Sequence, residues 1–182
     1  MPRQSRPKKV IEAPILADIA WVGFDVDGVM TDGGIYLAQD GTEMKRFHSR
    51  DGHALKILIR SGIKVSIITG RKSPLVELRA KEVGITSVYQ GISDKLQVYQ
   101  EILSTFGLTP QEAAFAGDDM VDLPVMFRVA LPMAPANASP EALAAAKFIS
   151  KSPGGHGAVR EMVEFILKGK GLWDSTINPY LA

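Results

Sequence analysis

Two aspartates two positions apart, Asp25 and Asp27, follow the apolar run Ile19-Ala20-Trp21-Val22-Gly23-Phe24 and precede Gly28-Val29. On a strand of period two, both acids leave the carboxyl end on the same side. Open parallel sheets bind their ligands at that edge. An Asp-x-Asp pair alone is common at turns and solvated strand ends, and three later clusters give this one chemical partners. Thr69-Gly70-Arg71 closes a second apolar run and offers a hydroxyl, a backbone open to close approach and a fixed positive charge, a set that suits a phosphate. Lys95 opens a helical pattern after Ser93-Asp94. Gly117-Asp118-Asp119-Met120-Val121-Asp122 follows a third run and packs three acids into five positions. Helix capping accounts for one of the three, and like charges so close repel unless a cation relieves them. Together these groups describe a hard-cation site facing a phosphate. Magnesium needs only a few carboxylates beside water and phosphate oxygens, so Asp25, Asp118 and a backbone carbonyl near Asp27 would hold it without histidine.

The elements that must carry these groups alternate. Short β-rich runs at 19–25, 63–68, 86–89, 113–116 and 128–131, with a short sixth at 147–149, are separated by segments of helical period. That pattern predicts an α/β fold, a Rossmann-like parallel sheet with flanking helices. Helices are expected from Asp51 to Gly62, from Ser73-Pro74 with Leu75, Leu78 and Val83 as its apolar stripe, and from a Ser93 cap to Gly107. Others are expected over 119–127, about 157–167, and as a turn in the Ala-rich 140–146 stretch. Residues 33–48 break the alternation: Asp40-Gly41 between two strand-like runs predicts an inserted β-hairpin directly after the first strand's acids.

Composition bounds the rest. The 182 residues are 46% hydrophobic and 23% charged, enough for one buried core. There is no cysteine, which excludes disulfides, thiolate zinc sites and a cysteine nucleophile, and the histidines at 48, 53 and 156 lack metal-ligand spacing. Four of the 21 basic residues, Arg3, Arg6, Lys8 and Lys9, fall in the first ten positions, and the other 17 face 20 acids. The chain therefore reads as a flexible basic arm over 1–14, one domain over 15–170 and a tail over 171–182. No basic stripe follows the arm, so no nucleic-acid role is expected. No apolar run is long enough to span a membrane, and the reading is of a cytoplasmic protein.

The ordered set Asp25-x-Asp27-Gly28-Val29-x-Thr31, Thr69, Lys95 and Gly117-Asp118-Asp119-x-x-Asp122 resembles the haloacid dehalogenase superfamily of phosphotransferases. Gly28-Val29-Met30-Thr31-Asp32-Gly33, Arg50-Asp51-Gly52, Thr69-Gly70-Arg71-Lys72, Tyr89-Gln90-Gly91 and Gly154-Gly155-x-Gly157-Ala158-Val159-Arg160-Glu161 resemble, within it, the 3-deoxy-D-manno-octulosonate 8-phosphate phosphatase family. The resemblance implies a capless, magnesium-dependent phosphatase of lipopolysaccharide inner-core sugar synthesis. It also implies a homotetramer whose hairpin and C-terminal tail help complete a neighbour's site. Asp25 would be the nucleophile, forming an aspartyl phosphate, with Asp27 as general acid and then base. Thr69 would orient the transferring group and Lys95 would neutralise it. Asp25, Asp27 and Asp118 would hold the metal, with Asp119 and Asp122 orienting Lys95 or bound waters behind them.

The same resemblance gathers His48, Ser49, Arg50, Asp51, Gly52, Lys56, Gly70, Arg71 and Arg79 around the sugar acid with Asp27 and Lys95, some across a subunit boundary. Related phosphatases of nine-carbon keto-sugar acids tend to carry an acid at the Arg71 position, so Arg71 favours the eight-carbon substrate. His156, in Gly155-His156-Gly157, and His53 depart from the family pattern. A receiver-like phosphoacceptor domain uses similar residues in a different order, with its acid pair on the first strand and its acceptor on the third. The tail, Lys168-Gly169-Lys170-Gly171-Leu172-Trp173 with Ile177, Tyr180 and Leu181, is apolar enough to dock either on its own chain or on a neighbour.

Overall fold

A computed structural model describes residues 13–181. Most of the basic arm expected over 1–14 lies outside the described residues.

Among the described residues eight strands form two sheets. The large sheet is parallel throughout and contains β1 (Trp21–Phe24), β4 (Lys64–Ile68), β5 (Ser87–Tyr89), β6 (Ala113–Ala116), β7 (Leu131–Ala134) and β8 (Phe148–Ile149) in the order β5-β4-β1-β6-β7-β8. β2 (Tyr36–Leu37) and β3 (Glu43–Met44) are the antiparallel hairpin, turned at Asp40-Gly41, where Gly41 takes φ +85°. The chain runs outward from β1 through β4 to β5, then returns to lay β6 on the other side of β1. The strand order thus reverses between β1 and β6, and a crevice opens at their carboxyl ends.

Helices cover both faces. On one side lie α1 (Ala13–Asp18), α2 (Ser49–Arg60), α3 (Pro74–Val83) and α7 (Ala158–Gly169), which bury Leu55, Leu58, Val76, Met162, Val163 and Ile166 against Val22 and Phe24. On the other lie α4 (Lys95–Phe106), α5 (Leu123–Met126) and α6 (Pro140–Ala145), with Tyr99, Ile102, Val125, Met126 and Ala142 against Trp21 and Phe115. Alternate β1 side chains serve the two cores, as a strand covered on both faces must. Trp21 is fully buried and still satisfies its indole N–H by donating to Ser66 Oγ at 2.9 Å.

Several expected boundaries move. α2 begins at Ser49 rather than Asp51. The 128–131 strand is displaced to Leu131–Ala134, despite Pro132. The Pro132 carbonyl accepts from Lys147 on the side of the two-residue edge strand β8, so its missing N–H points where little ladder exists to lose. α4 is capped by Asp94, not Ser93: the Asp94 carboxylate accepts from Leu96 and Gln97 N–H, one position nearer the first turn. Leu78 is 65% exposed, and the buried stripe of α3 is Val76, Ala80 and Val83. The segment expected as one helix over 119–127 splits into a 3₁₀ turn, Met120–Asp122, and the short α5.

The tail forms α8 (Trp173–Ile177) and a 3₁₀ turn, Asn178–Tyr180, laid against its own chain. The Arg160 and Lys168 side chains stand 5.2 and 4.9 Å from the Trp173 ring, and Tyr180 meets His53 edge-on at 5.4 Å. A groove of about 330 Å³ remains between the tail and Ile57, Arg60 and Ser61. Among the described residues no helix is long and apolar enough to cross a membrane.

Candidate active site

The strand ends at the crevice deliver the acids. The backbone N–H of Asp25 donates to the Ala116 carbonyl, extending the β1–β6 ladder by one step and placing the Asp25 side chain beside the loop after β6. Asp25 is 5% exposed. Residues 26–30 then turn back sharply through Gly28 at φ +95°, a backbone conformation other residues rarely adopt. A Cβ there would also sit 2.0 Å from Asp118 Oδ2, so glycine is what lets the Asp118 carboxylate approach. Thr31 closes the loop: its hydroxyl donates to the Val26 carbonyl and accepts from Gly28 and Gly33 N–H.

The distal wall presses on the same loop. A Cβ on Gly154 would lie 1.7 Å from the Gly28 carbonyl oxygen, and one on Gly155 would lie 2.4 Å from the Asp32 nitrogen. The glycine pair is therefore a backbone-to-backbone packing surface for the loop that carries Asp27.

Lys95 enters from the first turn of α4 and is 4% exposed. Its ammonium donates at 2.7 Å to Asp25 Oδ1 and at 2.7 Å to Asp122 Oδ1. The other Asp122 oxygen accepts from the backbone N–H groups of Asp118 and Asp119. Asp122 is thus a fully buried bracket whose acceptors are committed to Lys95 and the Asp118 loop. Asp119 instead caps the 3₁₀ turn, accepting from Met120 N–H, and does not touch Lys95.

The electrostatics of this cluster are unbalanced. Oxygens of Asp25, Asp118 and Asp122 all lie within 4.8 Å of one another, and one lysine offsets them. Burial pushes Asp25 up to about 6 against the pull of Lys95. Burial, with Asp25 and Asp122 beside it, pushes Asp118 up to about 8. Burial would lower Lys95, but Asp25 and Asp122 outweigh it and hold the ammonium above its usual range. Crowded oxygens with a charge deficit are what a divalent cation relieves, so this donor set fits magnesium.

Asp27 stands at the mouth. Its Oδ1 accepts from Lys45 Nζ at 2.5 Å, and its Oδ2 is 3.9 Å from Arg71 Nε. Thr69 is 2% exposed at the end of β4, while Gly70 is exposed. Arg71 donates to Glu43 Oε1 at 2.8 Å, and Ser73 Oγ donates to Glu43 Oε2 at 2.6 Å. Glu43 and Lys45, both from the hairpin, are absent from the sequence reading. Their signal was alternation: Glu43, Lys45 and Phe47 share one face of the returning strand.

The remaining expected substrate contacts make bonds of their own. Asp51 is buried and accepts from Gly157 N–H at 3.2 Å and Arg160 N–H at 2.8 Å, anchoring α2 to the amino end of α7. Arg79 donates to the His48 carbonyl and pairs with Glu82, with its guanidinium over the Phe47 ring. Gly52 leaves room for it, since a Cβ there would sit 2.0 Å from Arg79 Nη2. Ser49 and Arg50 are exposed and Lys56 is half-buried. None of His48, Ser49, Arg50, Asp51, Gly52, Lys56 or Arg79 hydrogen-bonds to Asp25, Asp27 or Lys95 among the described residues. His156 Nδ1 donates to the Gly154 carbonyl, and its Nε2 accepts from Arg46 Nη1 at 2.6 Å, a loop contact at the hairpin base.

A parallel sheet with an Asp-x-Asp loop, a buried lysine and a late acidic loop at its switch point defines a haloacid dehalogenase-like hydrolase, and residues 81–162 match that family. The chain is 48% identical over 151 residues to 3-deoxy-D-manno-octulosonate 8-phosphate phosphatase of Yersinia pestis, covering 83% of this chain and 81% of that one. It is 43% identical over 150 residues to the Escherichia coli K12 phosphatase of the same name, covering 82% and 80%. Its fold superimposes with a TM-score of 0.90 on the Moraxella catarrhalis phosphatase crystallised with magnesium, phosphate and KDO, at 36% identity over 92% of this chain and 97% of that one. The chain belongs to the 3-deoxy-D-manno-octulosonate 8-phosphate phosphatase family.

Proposed function

We propose that the protein hydrolyses 3-deoxy-D-manno-octulosonate 8-phosphate to the free sugar acid and phosphate, in lipopolysaccharide inner-core sugar synthesis. One observation carries the chemistry: Asp25 is held by a buried lysine on one oxygen, with Asp118 crowded against it. With Lys95 on Oδ1, Asp25 Oδ2 is the oxygen to attack phosphorus, forming an aspartyl phosphate as the phosphorus–sugar oxygen bond breaks. Asp27, at the open mouth, gives its proton to the departing sugar oxygen. It then takes one from the water that cleaves the acyl phosphate. Thr69 orients the transferring group, and Lys95 offsets the charge on its oxygens. Asp25, Asp118 and the Asp27 carbonyl would hold magnesium, which supplies positive charge to the phosphoryl oxygens when bound.

The size of the task supports shared labour. Phosphate monoesters hydrolyse so slowly that enzymes reach about 10²¹-fold acceleration, near 28 kcal/mol, of which acid–base help supplies on the order of 10²- to 10⁴-fold. Positioning and charge must provide most of it.

Arg71, 40% exposed at the mouth, is the cation for the substrate's carboxylate. Assembly as a cytoplasmic homotetramer completes the reading. The self-association in this reading is supported by the exposed apolar hairpin residues Ile35, Tyr36, Leu37 and Met44, a surface a neighbouring copy would cover. His48 to Gly52, Lys56 and Arg79 would then act across the boundary or hold the frame. Phosphate release from the octulosonate phosphate, at a rate abolished in Asp25→Asn and well above that on other sugar phosphates, tests the function. Equal rates on all sugar phosphates would remove the substrate assignment. Deleting 171–182 and reading both oligomer mass and turnover tests the tail's part.

A further inference from the structure

The hairpin sends two charged side chains inward from one strand face. Glu43 spans two groups that follow β4: its Oε1 accepts from Arg71 Nη2 at 2.8 Å and its Oε2 from Ser73 Oγ at 2.6 Å. Lys45 stands 3.6 Å from the same Glu43 Oε1 while it bonds Asp27. Arg71 Nε in turn faces Asp27 Oδ2 at 3.9 Å. Asp27, Lys45, Glu43 and Arg71 therefore alternate in sign around a small ring at the mouth.

The ring has a consequence for Arg71. A free arginine side chain samples many rotamers, and a planar fork recognises a carboxylate well only when its plane and edge are fixed in advance. Here Asp27 and Glu43 face Nε and Nη2, whereas Nη1 has no hydrogen-bond partner among the described residues and the side chain stays 40% exposed. Both Glu43 oxygens are themselves engaged, and the Ser73 hydroxyl with the nearby cations keeps its carboxyl below the ordinary range, so it is an ionised, held group.

We infer that Glu43 is a positioning residue for substrate selection: by gripping Arg71 at Nη2, it presents the outer guanidinium edge to the carboxylate of the sugar-acid phosphate. The inference rests on the function proposed above. It gives the hairpin a task inside its own protomer, separate from any contact with another copy.

The test compares kcat/KM on 3-deoxy-D-manno-octulosonate 8-phosphate with that on glucose 6-phosphate, which lacks a carboxylate. In Glu43→Gln the ratio should fall about tenfold, through KM for the acid, as expected on losing one charge-assisted bond. Ser73→Ala, which loosens Glu43 and also removes the cap that Ser73 Oγ gives the Leu75 N–H of α3, should lower the ratio in the same direction. In an Arg71→Ala background, Glu43→Gln should change the ratio less than twofold. Equal losses on both substrates, or an unchanged ratio in both single variants, overturns the positioning role while leaving the function standing. A wild-type protein with no preference for the acid overturns the substrate reading itself.

Discussion

Lys95 Nζ lies 2.7 Å from Asp25 Oδ1, a buried ion pair joining the first strand to the third crossover helix across 70 residues of chain. Because Asp122 shares the ammonium, removing the cation strands two acids. Lys95→Met should abolish measurable turnover and cost about 3–5 kcal/mol of stability by urea unfolding at pH 8. The stability cost should shrink at pH 5, below the value of about 6 to which burial already pushes Asp25, because the protonated Asp25 no longer needs the cation. An equal cost at both pH values would show that the pair does not set the energetics of the site.

Metal dependence should carry a pH signature. Asp118 is pushed up to about 8 and Asp25 to about 6 in the folded chain, against roughly 4 when unfolded. Between those values the folded state binds more protons than the unfolded one, so stability falls as pH rises. In chelator, Tm should decline from pH 5 to pH 8. Magnesium should raise Tm more at pH 8 than at pH 5, because the ionised acids bind it. A magnesium effect on Tm independent of pH would contradict this, read by scanning calorimetry.

Asp118→Asn removes one repelling charge from the same cluster. Without metal at pH 8 the variant should melt higher than the wild type, yet show turnover reduced by at least about 10²-fold with magnesium present. A variant that melts lower in chelator would place the strain elsewhere.

Backbone approach makes a separate prediction. A Cβ at position 154 would meet the Gly28 carbonyl oxygen at 1.7 Å, and backbone cannot swing aside as a side chain can. Gly154→Ala should cost about 2 kcal/mol or more and lower kcat by displacing the 26–31 loop. Gly41→Ala, with φ +85° but open space around it, should cost about 1 kcal/mol and leave kcat within twofold. Similar losses in both would mean the contact is softer than it looks.

Much of the frame was readable in advance because it rests on short-range chemistry. Apolar runs fixed the strand identities, and Asp40-Gly41 marked the hairpin. What failed was set by tertiary context. The expected 128–131 strand is shifted to Leu131–Ala134, where the short edge neighbour makes the donor missing from Pro132 harmless. Leu78 joined an apolar stripe on paper, but the sheet meets α3 through Val76, Ala80 and Val83.

The candidate site shows the same divide. Asp25, Lys95, Asp118 and Asp122 lie together at the crevice, with Asp25 just past β1, Lys95 in the first turn of α4 and the other two in the segment after β6. Glu43 and Lys45 went unnoticed because their meaning depends on where the hairpin folds back, a long-range fact that no window of sequence holds. Asp51 and Arg79, grouped with the substrate by resemblance, are engaged in fastening α2 to its neighbours.

The contact between Gly154 and Gly28 also orders events during synthesis. Asp25 emerges from the ribosome early, yet the surface that braces the loop after it is made more than a hundred residues later. A nascent chain should therefore stay inert until translation has nearly ended, and premature termination between Asp122 and Gly154 should release a product that carries Asp25, Asp27, Thr69, Lys95 and Asp118 yet shows no turnover.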